Sequence, residues 1–410
     1  MSQKRFTQTV LLTGLLVSSS FVGMSEAADD LKGAITGGKV LLNARLRYES
    51  VDQDGFSDDA HAVTARLRLG YETAPYKGFR FLGELDKTEH IGADRFNSLE
   101  NGRTDYPIVA DPDSFRLNRA QLIYEGIAKS KVDLGRQRII LDDSRFIGNV
   151  GWRQNEQTFD AVRLGTKAVP DTKVEYGYIW RVNRIFGSES PLGSWDSDSH
   201  FARAEYSGLD FLNIAAFGYW LDLESAPGAS SETFGLRVSG KASLANDVSL
   251  AYAASYAQQS DYGNNPGDFD LDYYAVEGGV TWNKVTAKAG IEALEGDGSR
   301  GFSTPLATLH KFQGFADVFL TTPDVGIEDV YGAVSFKSKW ANLEKPTTFS
   351  LIYHDFEAES ASTDLGSEWN AVIAVPLPNN LKLIGKYADY DGNGFRDDRR
   401  KAWFSIELAL

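Results

Sequence analysis

Residues His61–Glu72, HAVTARLRLGYE, alternate with a period of two: Val63, Ala65, Leu67, Leu69 and Tyr71 fall on one face, and Thr64, Arg66, Arg68, Gly70 and Glu72 on the other. A strand with unlike faces has this period; a helix does not. Lys39–Val51 repeats it with Val40, Leu42, Ala44, Leu46 and Tyr48 against Asn43, Arg45, Arg47 and Glu49, and Phe79–His90 repeats it again. Further segments follow near 114–127, 130–140, 157–168, 172–185, 198–207, 210–223, 231–243, 247–260, 269–283 and 284–296, then 327–339, 347–358, 366–376, 380–390 and 398–410. The pattern predicts about eighteen strands, with sixteen as the alternative count at this precision of boundaries.

The connections alternate in length. Pro75–Gly78, Pro170-Asp171, Ser207-Gly208, Asn246-Asp247, Asn283-Lys284 and Pro376–Asn379 are short, and most carry turn chemistry. Residues 91–113, 141–156, 186–197 and 297–326 are long. Little helix intervenes to cover so many apolar faces, so their other natural environment is lipid. The expectation is an all-β chain forming a transmembrane, antiparallel, up-and-down β-barrel, with short turns on one side and long loops on the other. The closing segment fits, since Ala402, Phe404, Ile406, Leu408 and Leu410 all lie on one face.

At the N-terminus, Lys4 and Arg5 precede the apolar run Val10–Val17, and Ser25-Glu26-Ala27 is a small-x-small cleavage site. Residues 1–27 therefore read as a signal peptide and 28–410 as a single barrel domain. The apolar run falls short of the ~20 residues that a spanning helix needs. Export and a barrel together place the chain in the outer membrane of a Gram-negative bacterium, against membrane lipid and lipopolysaccharide. A formal net charge of −15 argues against nucleic acid as a partner, and the absence of cysteine removes disulfides and thiolate chemistry.

If apolar faces meet lipid, polar faces line the lumen. They carry Arg45, Arg47, Arg66, Arg68, Arg80, Arg119, Arg163, Lys173, Arg181, Arg203, Arg237, Lys241 and Lys288, interleaved with acids such as Glu49, Glu72, Glu84, Asp86, Glu175 and Glu277. Guanidinium forks suit carboxylates, so a ladder of them fits passage of an anionic solute; the alternative is that these charges pair across strands and only keep the lumen wet.

The densest polar stretch is Gly135-Arg136-Gln137, then Asp142–Phe146 (DDSRF), then Trp152–Ala161 (WRQNEQTFDA); Leu306–Gly314 (LATLHKFQG) and Asp389-Tyr390-Asp391 come later. On these motifs the chain resembles the alginate export family of outer-membrane barrels. The resemblance implies eighteen strands, a monomer, and an arginine-rich conduit for an anionic oligo- or polysaccharide such as alginate, with export and uptake both open. It makes Arg136, Arg138, Arg145, Arg153 and Asp160 candidate constriction residues, beside Arg66, Arg68, Arg119, Arg163, Arg181 and Arg203 from the ladder. A bulge is needed to turn Arg136 and Arg138 inward, because they share parity with Val132 and Leu134.

Residues 306–319 have near-helical spacing of Leu309, Phe312, Ala316 and Phe319, which predicts a helix-like stretch that either folds into the mouth or packs on its rim. Asp389, Asp391 and Asn393 match the first half of a calcium loop, but Arg400 stands where the closing glutamate belongs. Calcium is the one cofactor with any candidate ligands. The histidines, His61, His90, His200, His310 and His354, sit in no nucleophile motif, so no enzyme is expected. A general porin, one for small organic acids, and a purely structural barrel are the alternatives.

Overall fold

The computed structural model describes residues 27–340 and 343–410; the candidate signal peptide up to Glu26 lies outside the described residues. Eighteen strands form, all antiparallel to their neighbours: β1 Lys39–Gln53, β2 Ala60–Glu72, β3 Phe79–His90, β4 Ser114–Tyr124, β5 Ser130–Gln137, β6 Thr158–Thr166, β7 Thr172–Asn183, β8 Ser194–Leu209 and β9 Leu212–Leu221, followed by β10 Ser231–Ala245, β11 Val248–Ser260, β12 Asp270–Trp282, β13 Val285–Leu294, β14 Ile327–Ser338, β15 Thr347–Glu357, β16 Asp364–Pro376, β17 Leu381–Asp391 and β18 Arg399–Ala409. β18 pairs with β1 from Asn43↔Ala409 to Gln53↔Arg399, so the sheet closes and keeps no free edge. Inside the seam the Arg45 Nε donates to Glu407 Oε1 at 2.7 Å.

The faces fall as the alternation predicts. On β2 Thr64, Arg66, Arg68 and Glu72 are buried within the barrel, whereas Leu67 and Leu69 are exposed outward. The same holds for Phe79, Phe81 and Leu85 on β3, and for Phe404 on β18. Apolar side chains that would be an aggregation hazard in water are at home in lipid, which makes the barrel membrane-spanning. Near the long-loop end, outward tyrosines donate to acids: Tyr256 to Asp272 at 2.9 Å, Tyr274 to Glu328 at 3.1 Å and Tyr387 to Asp389 at 3.2 Å. These acids sit at the outer rim, with the amphipathic phenols bridging apolar band and water.

The interior is not an open tube. Ile139, Leu141, Ile147 and Trp152 of the β5–β6 loop, with Leu306, Ala316 and Phe319 of the β13–β14 loop, form one buried cluster with the wall residues Phe159, Ile179, Phe201, Phe217, Tyr219 and Tyr273. Two hydrophobic loop segments are excluded from both lipid and water, and the lumen is where they can be buried.

One local reading changes. The helix expected over 306–319 is a single 3-10 turn at Leu309–Lys311, because Gln313, Gly314 and Asp317 take positive φ (48°, 80° and 60°) and break any helical run. The only α-helix among the described residues, α1, is Leu31–Thr36, capped by Asp30 accepting from Gly33 N at 2.6 Å.

Candidate functional site

The β5–β6 loop turns inward as soon as its strand ends. Gln137 is buried, and its amide donates to the Ala161 carbonyl at 2.9 Å, after which Ile139 and Leu141 pack along the inner wall. Asp142 and Asp143 then pin the loop to two strands: Arg203 Nε on β8 donates to Asp142 Oδ2 at 3.0 Å, and Arg237 Nη1 on β10 lies 3.1 Å from Asp143 Oδ2. Arg145 reaches Glu292 on β13 at 2.8 Å and donates to Thr304 Oγ1 at 3.0 Å. The loop therefore crosses the lumen.

Its return limb is held by backbone carbonyls. Arg45 donates to the carbonyls of Trp152 (2.9 Å), Arg153 (3.2 Å) and Gly151 (3.2 Å); Arg68 and Arg66 donate to that of Gln154 at 2.9 and 3.4 Å; Arg116 donates to that of Glu156 at 2.7 Å. Peptide carbonyls buried away from water need donors, and arginine's fork supplies several from one side chain. The Glu156 carboxylate accepts from Asn118 and Asn149 at 2.7 Å each, and pairs with Arg138 and with Arg68 Nη1 (3.5 Å). Burial alone would raise its pKa, but Arg138 and Arg68 hold it well below the usual carboxylate range. Arg153 meets Glu49 at 3.0 Å and Asp317 at 3.2 Å, and these acids with Asp111 outweigh its burial and strengthen its protonation.

The β13–β14 loop joins the first from the opposite wall. Ile147 and Leu306 bridge in parallel, Val150 N donates to Thr308 Oγ1 at 3.1 Å, and Lys311 Nζ donates to the Asp143 carbonyl at 2.6 Å. Phe315 N and Ala316 N donate to Glu368 Oε1 of β16 at 2.5 and 2.9 Å. Gly314 sits so close to that carboxylate that a Cβ would meet its oxygen at 2.3 Å, so a residue with φ of +80° and no side chain is required. Together the two loops form a septum across the barrel.

Of the predicted site residues, Arg66, Arg68, Arg138, Arg145 and Arg153 converge on this septum. Arg119 binds Glu84 through two bonds of 2.9 and 2.6 Å, Arg163 pairs with Glu175, and Arg203 holds the loop tip. Arg136, Asp160 and Arg181 are not brought to the lumen. They form one cross-strand row on the outward face: Arg136 Nε donates to Asp160 Oδ1 at 2.7 Å and Nη1 to the Leu117 carbonyl at 3.0 Å, while Arg181 donates to Ser194 Oγ at 2.7 Å. The bulge that would turn Arg136 inward is absent from its strand position. It lies on β4 instead, where the register shifts around Asn118, and Arg138 enters the lumen because β5 has already ended at Gln137. Asp389, Asp391 and Asn393 take separate partners: Asp389 pairs with Arg400 at 3.3 Å, Asp391 accepts from Asn393 N at 3.1 Å, and Asn393 donates to Asp364 at 2.7 Å. Among the described residues no group of three or more acidic, His or Cys side chains could hold a metal.

One cluster was not singled out as a constriction. Arg237 of β10, Lys288 of β13 and Lys311 of the β13–β14 loop gather beside the septum, with Lys241 and Lys337 below them on lumenal positions. Their nearby carboxylates are few: Asp143 beside Arg237, and Glu277, which binds Lys288 at 2.5 Å and accepts from Tyr331 at 2.8 Å. Burial pushes the Lys311 ammonium below its ordinary value against the pull of Asp143, with Arg237 and Lys288 adding to the push. A signal was present: the β10 polar face, Thr233, Gly235, Arg237, Ser239, Lys241 and Ser243, holds no acid.

This arrangement, a closed barrel narrowed by two charged loops, matches a family model described as Alginate export over residues 44–404. The chain belongs to the alginate export family. As a member of that family with this barrel, it is an outer-membrane porin channel. Solved structures similar to it are Acinetobacter baumannii OccAB2 (TM-score 0.74, 15% identity, 92% of this chain and 99% of that one), Pseudomonas aeruginosa OccK3 (OpdO) (0.70, 14%, 93% and 97%) and Pseudomonas aeruginosa OccK8 (OprE) (0.68, 16%, 92% and 99%). At such identities the likeness is one of fold. No curated protein sequence matches the chain. For this alginate export family member, the septum and the cation cluster beside it are the parts of the lumen best placed to act on a solute.

Proposed function

We propose that this porin passes anionic solutes, with uronate oligosaccharides of the alginate type as the favoured class, by diffusion and without catalysis or cofactor. The observation that carries the reading is the cluster of Arg237, Lys288 and Lys311, whose side chains keep part of their surface open to the lumen and outnumber the acids beside them. Carboxylates entering from water exchange hydration for guanidinium and ammonium donors there, and the incomplete pairing leaves those donors free to do so. The family description, Alginate export, supports the solute class. A single chain encloses its own conduit, so a monomer in contact with outer-membrane lipid and lipopolysaccharide suffices.

Passage of small organic acids is a second reading. It is favoured by the thoroughness with which the septum fills the lumen, since Ile147, Leu306 and Ala316 are wholly buried and leave little width for a polymer. Planar-bilayer recording separates the readings. In a salt gradient the reversal potential is expected to favour chloride over potassium, and mannuronate oligomers are expected to block the current in a concentration-dependent way. Cation preference would sink the anionic reading; anion preference with indifference to oligomers, but block by monomeric acids, would select the second.

A further inference from the structure

The septum is pinned by one histidine whose two nitrogens have opposite partners. His310 Nδ1 lies 2.7 Å from Asp317 Oδ1, and its Nε2 lies 2.6 Å from Lys386 Nζ of β17. The ring stacks on Trp152 of the β5–β6 loop (4.6 Å between centroids, 6° between planes) and on Phe315 of its own loop at 5.3 Å, and it meets the edge of Trp403 at 5.6 Å. One side chain thus touches both loops and the wall. Lys386 Nζ lies over the faces of Phe315 (3.3 Å) and Trp152 (4.1 Å), the seat of a cation; as an ammonium it can only donate, so Nε2 accepts and the proton sits on Nδ1 facing the carboxylate. Only the neutral ring satisfies both contacts.

We propose that His310 is an acid-sensitive pin of the septum: protonation places an N–H against the Lys386 ammonium, breaks that contact and frees the β13–β14 loop together with Trp152 stacked on it. The inference rests on the pore reading only for its effect on current. Every charged group facing the ring bears on it. From its own loop comes Asp317, which also takes Lys401 of β18 at 2.7 Å and Arg153 of the β5–β6 loop at 3.2 Å. Glu368 of β16 holds the adjacent Phe315 and Ala316 amides, Arg399 of β18 donates to the Ala316 and Asp317 carbonyls, and Arg47 of β1 covers the other part of Trp152. Glu49 and Asp111 face Arg153 rather than the ring. Both cations take Asp317 Oδ2, whereas its Oδ1 already accepts from the neutral ring, so protonation at Nε2 adds no new bond to this carboxylate. Burial, with Lys386 and Lys401 beside the ring, pushes the His310 imidazole well below its ordinary value despite Asp317. The docked loop is therefore favoured at neutral pH, and that preference is lost as the pH falls below the histidine's ordinary pKa of about 6.5.

Two readouts test this. Between pH 7 and pH 5 the mean conductance is expected to rise by at least about twofold, and tryptophan fluorescence to fall as a cationic imidazole quenches the stacked indole. His310→Gln keeps an acceptor for Lys386 and a donor for Asp317 but cannot titrate; it should hold the neutral-pH values of both readouts throughout. Lys386→Met removes the conflict and should flatten the response as well. Folding of each variant is checked by heat-modifiable migration of the barrel in detergent gels. An unchanged acid response in folded His310→Gln, or no response in the unsubstituted protein, overturns the pin. Fluorescence that behaves as expected in a protein that never conducts would retain the pin and remove the pore reading.

Discussion

Along β1–β4 most lumenal guanidiniums are buried against loop carbonyls and carboxylates; along β10–β14 Arg237 and Lys288 keep about a fifth of their side chains open (22% and 19%), with few acids among them. Arg45, Arg66, Arg68 and Arg116 spend their donors on the return limb of the β5–β6 loop. Arg237 and Lys288 have one carboxylate each, and Lys311 bonds a carbonyl while sharing the Asp143 charge with Arg237. The richer arginine sector is therefore the scaffold, and the poorer one the better candidate for selectivity. What a solute feels is the pairing of charges and their contact with water, more than their number.

The largest effect expected from breaking this comparison is at Glu156. Glu156→Leu strands Arg138 and leaves Arg68 with Asp86 alone (2.9 Å), and loss of one partner of a buried ionic cluster costs about 3–5 kcal/mol. It should appear as protease cleavage within 138–157 and a raised conductance. Next comes Gly314→Ala, whose Cβ would strike the Glu368 carboxylate at a backbone φ of +80°. A cost of about 1–3 kcal/mol is expected there, read as enhanced hydrogen exchange at Phe315 and Ala316. Third, Arg237→Gln with Lys288→Gln should lower the chloride-to-potassium permeability ratio by about fivefold, the equivalent of about 1 kcal/mol for a close charge in water, whereas Arg119→Gln should change it far less. Equal effects at Arg119 and at the Arg237 cluster would erase the distinction between sectors. Raising the salt from 0.1 M to 1 M, which shortens the screening length from about 10 Å to about 3 Å, should flatten the selectivity while leaving the septum closed. Smallest of all, Arg136→Ala and Asp160→Asn should leave conductance and selectivity unchanged, since their pair faces outward, away from the lumen.

The outward row of Arg136, Asp160 and Arg181 shows where reading the sequence stops. The strands and their faces were legible because alternation is local: Leu67 and Leu69 announce lipid within one strand. The motif GRQ–DDSRF–WRQN pointed to the loop that does cross the lumen. Parity with Val132 and Leu134 already put Arg136 outward, and the β4–β5 register keeps it there; that Arg138 turns inward depends on where β5 ends, which the motif could not say. Nor could it say that Arg45 would grip residues 151–153, or pair with Glu407 at the far end of the chain; such partners are fixed only when the barrel closes. The loop over 306–319 misled for a related reason. Its apolar spacing is real, but it serves burial in the septum, and three left-handed residues set its path.

The seam between β1 and β18 also dictates an order of assembly. Contacts between the ends of a long chain are the most expensive to close in chain entropy and form last. Arg45 sits in that seam, with one face toward Glu407 and the other toward the loop carbonyls. Until the final strand docks, Arg45 lacks the Glu407 carboxylate that orients it, so its grip on residues 151–153 is completed only as the wall closes. Completing the wall and setting that anchor are one event.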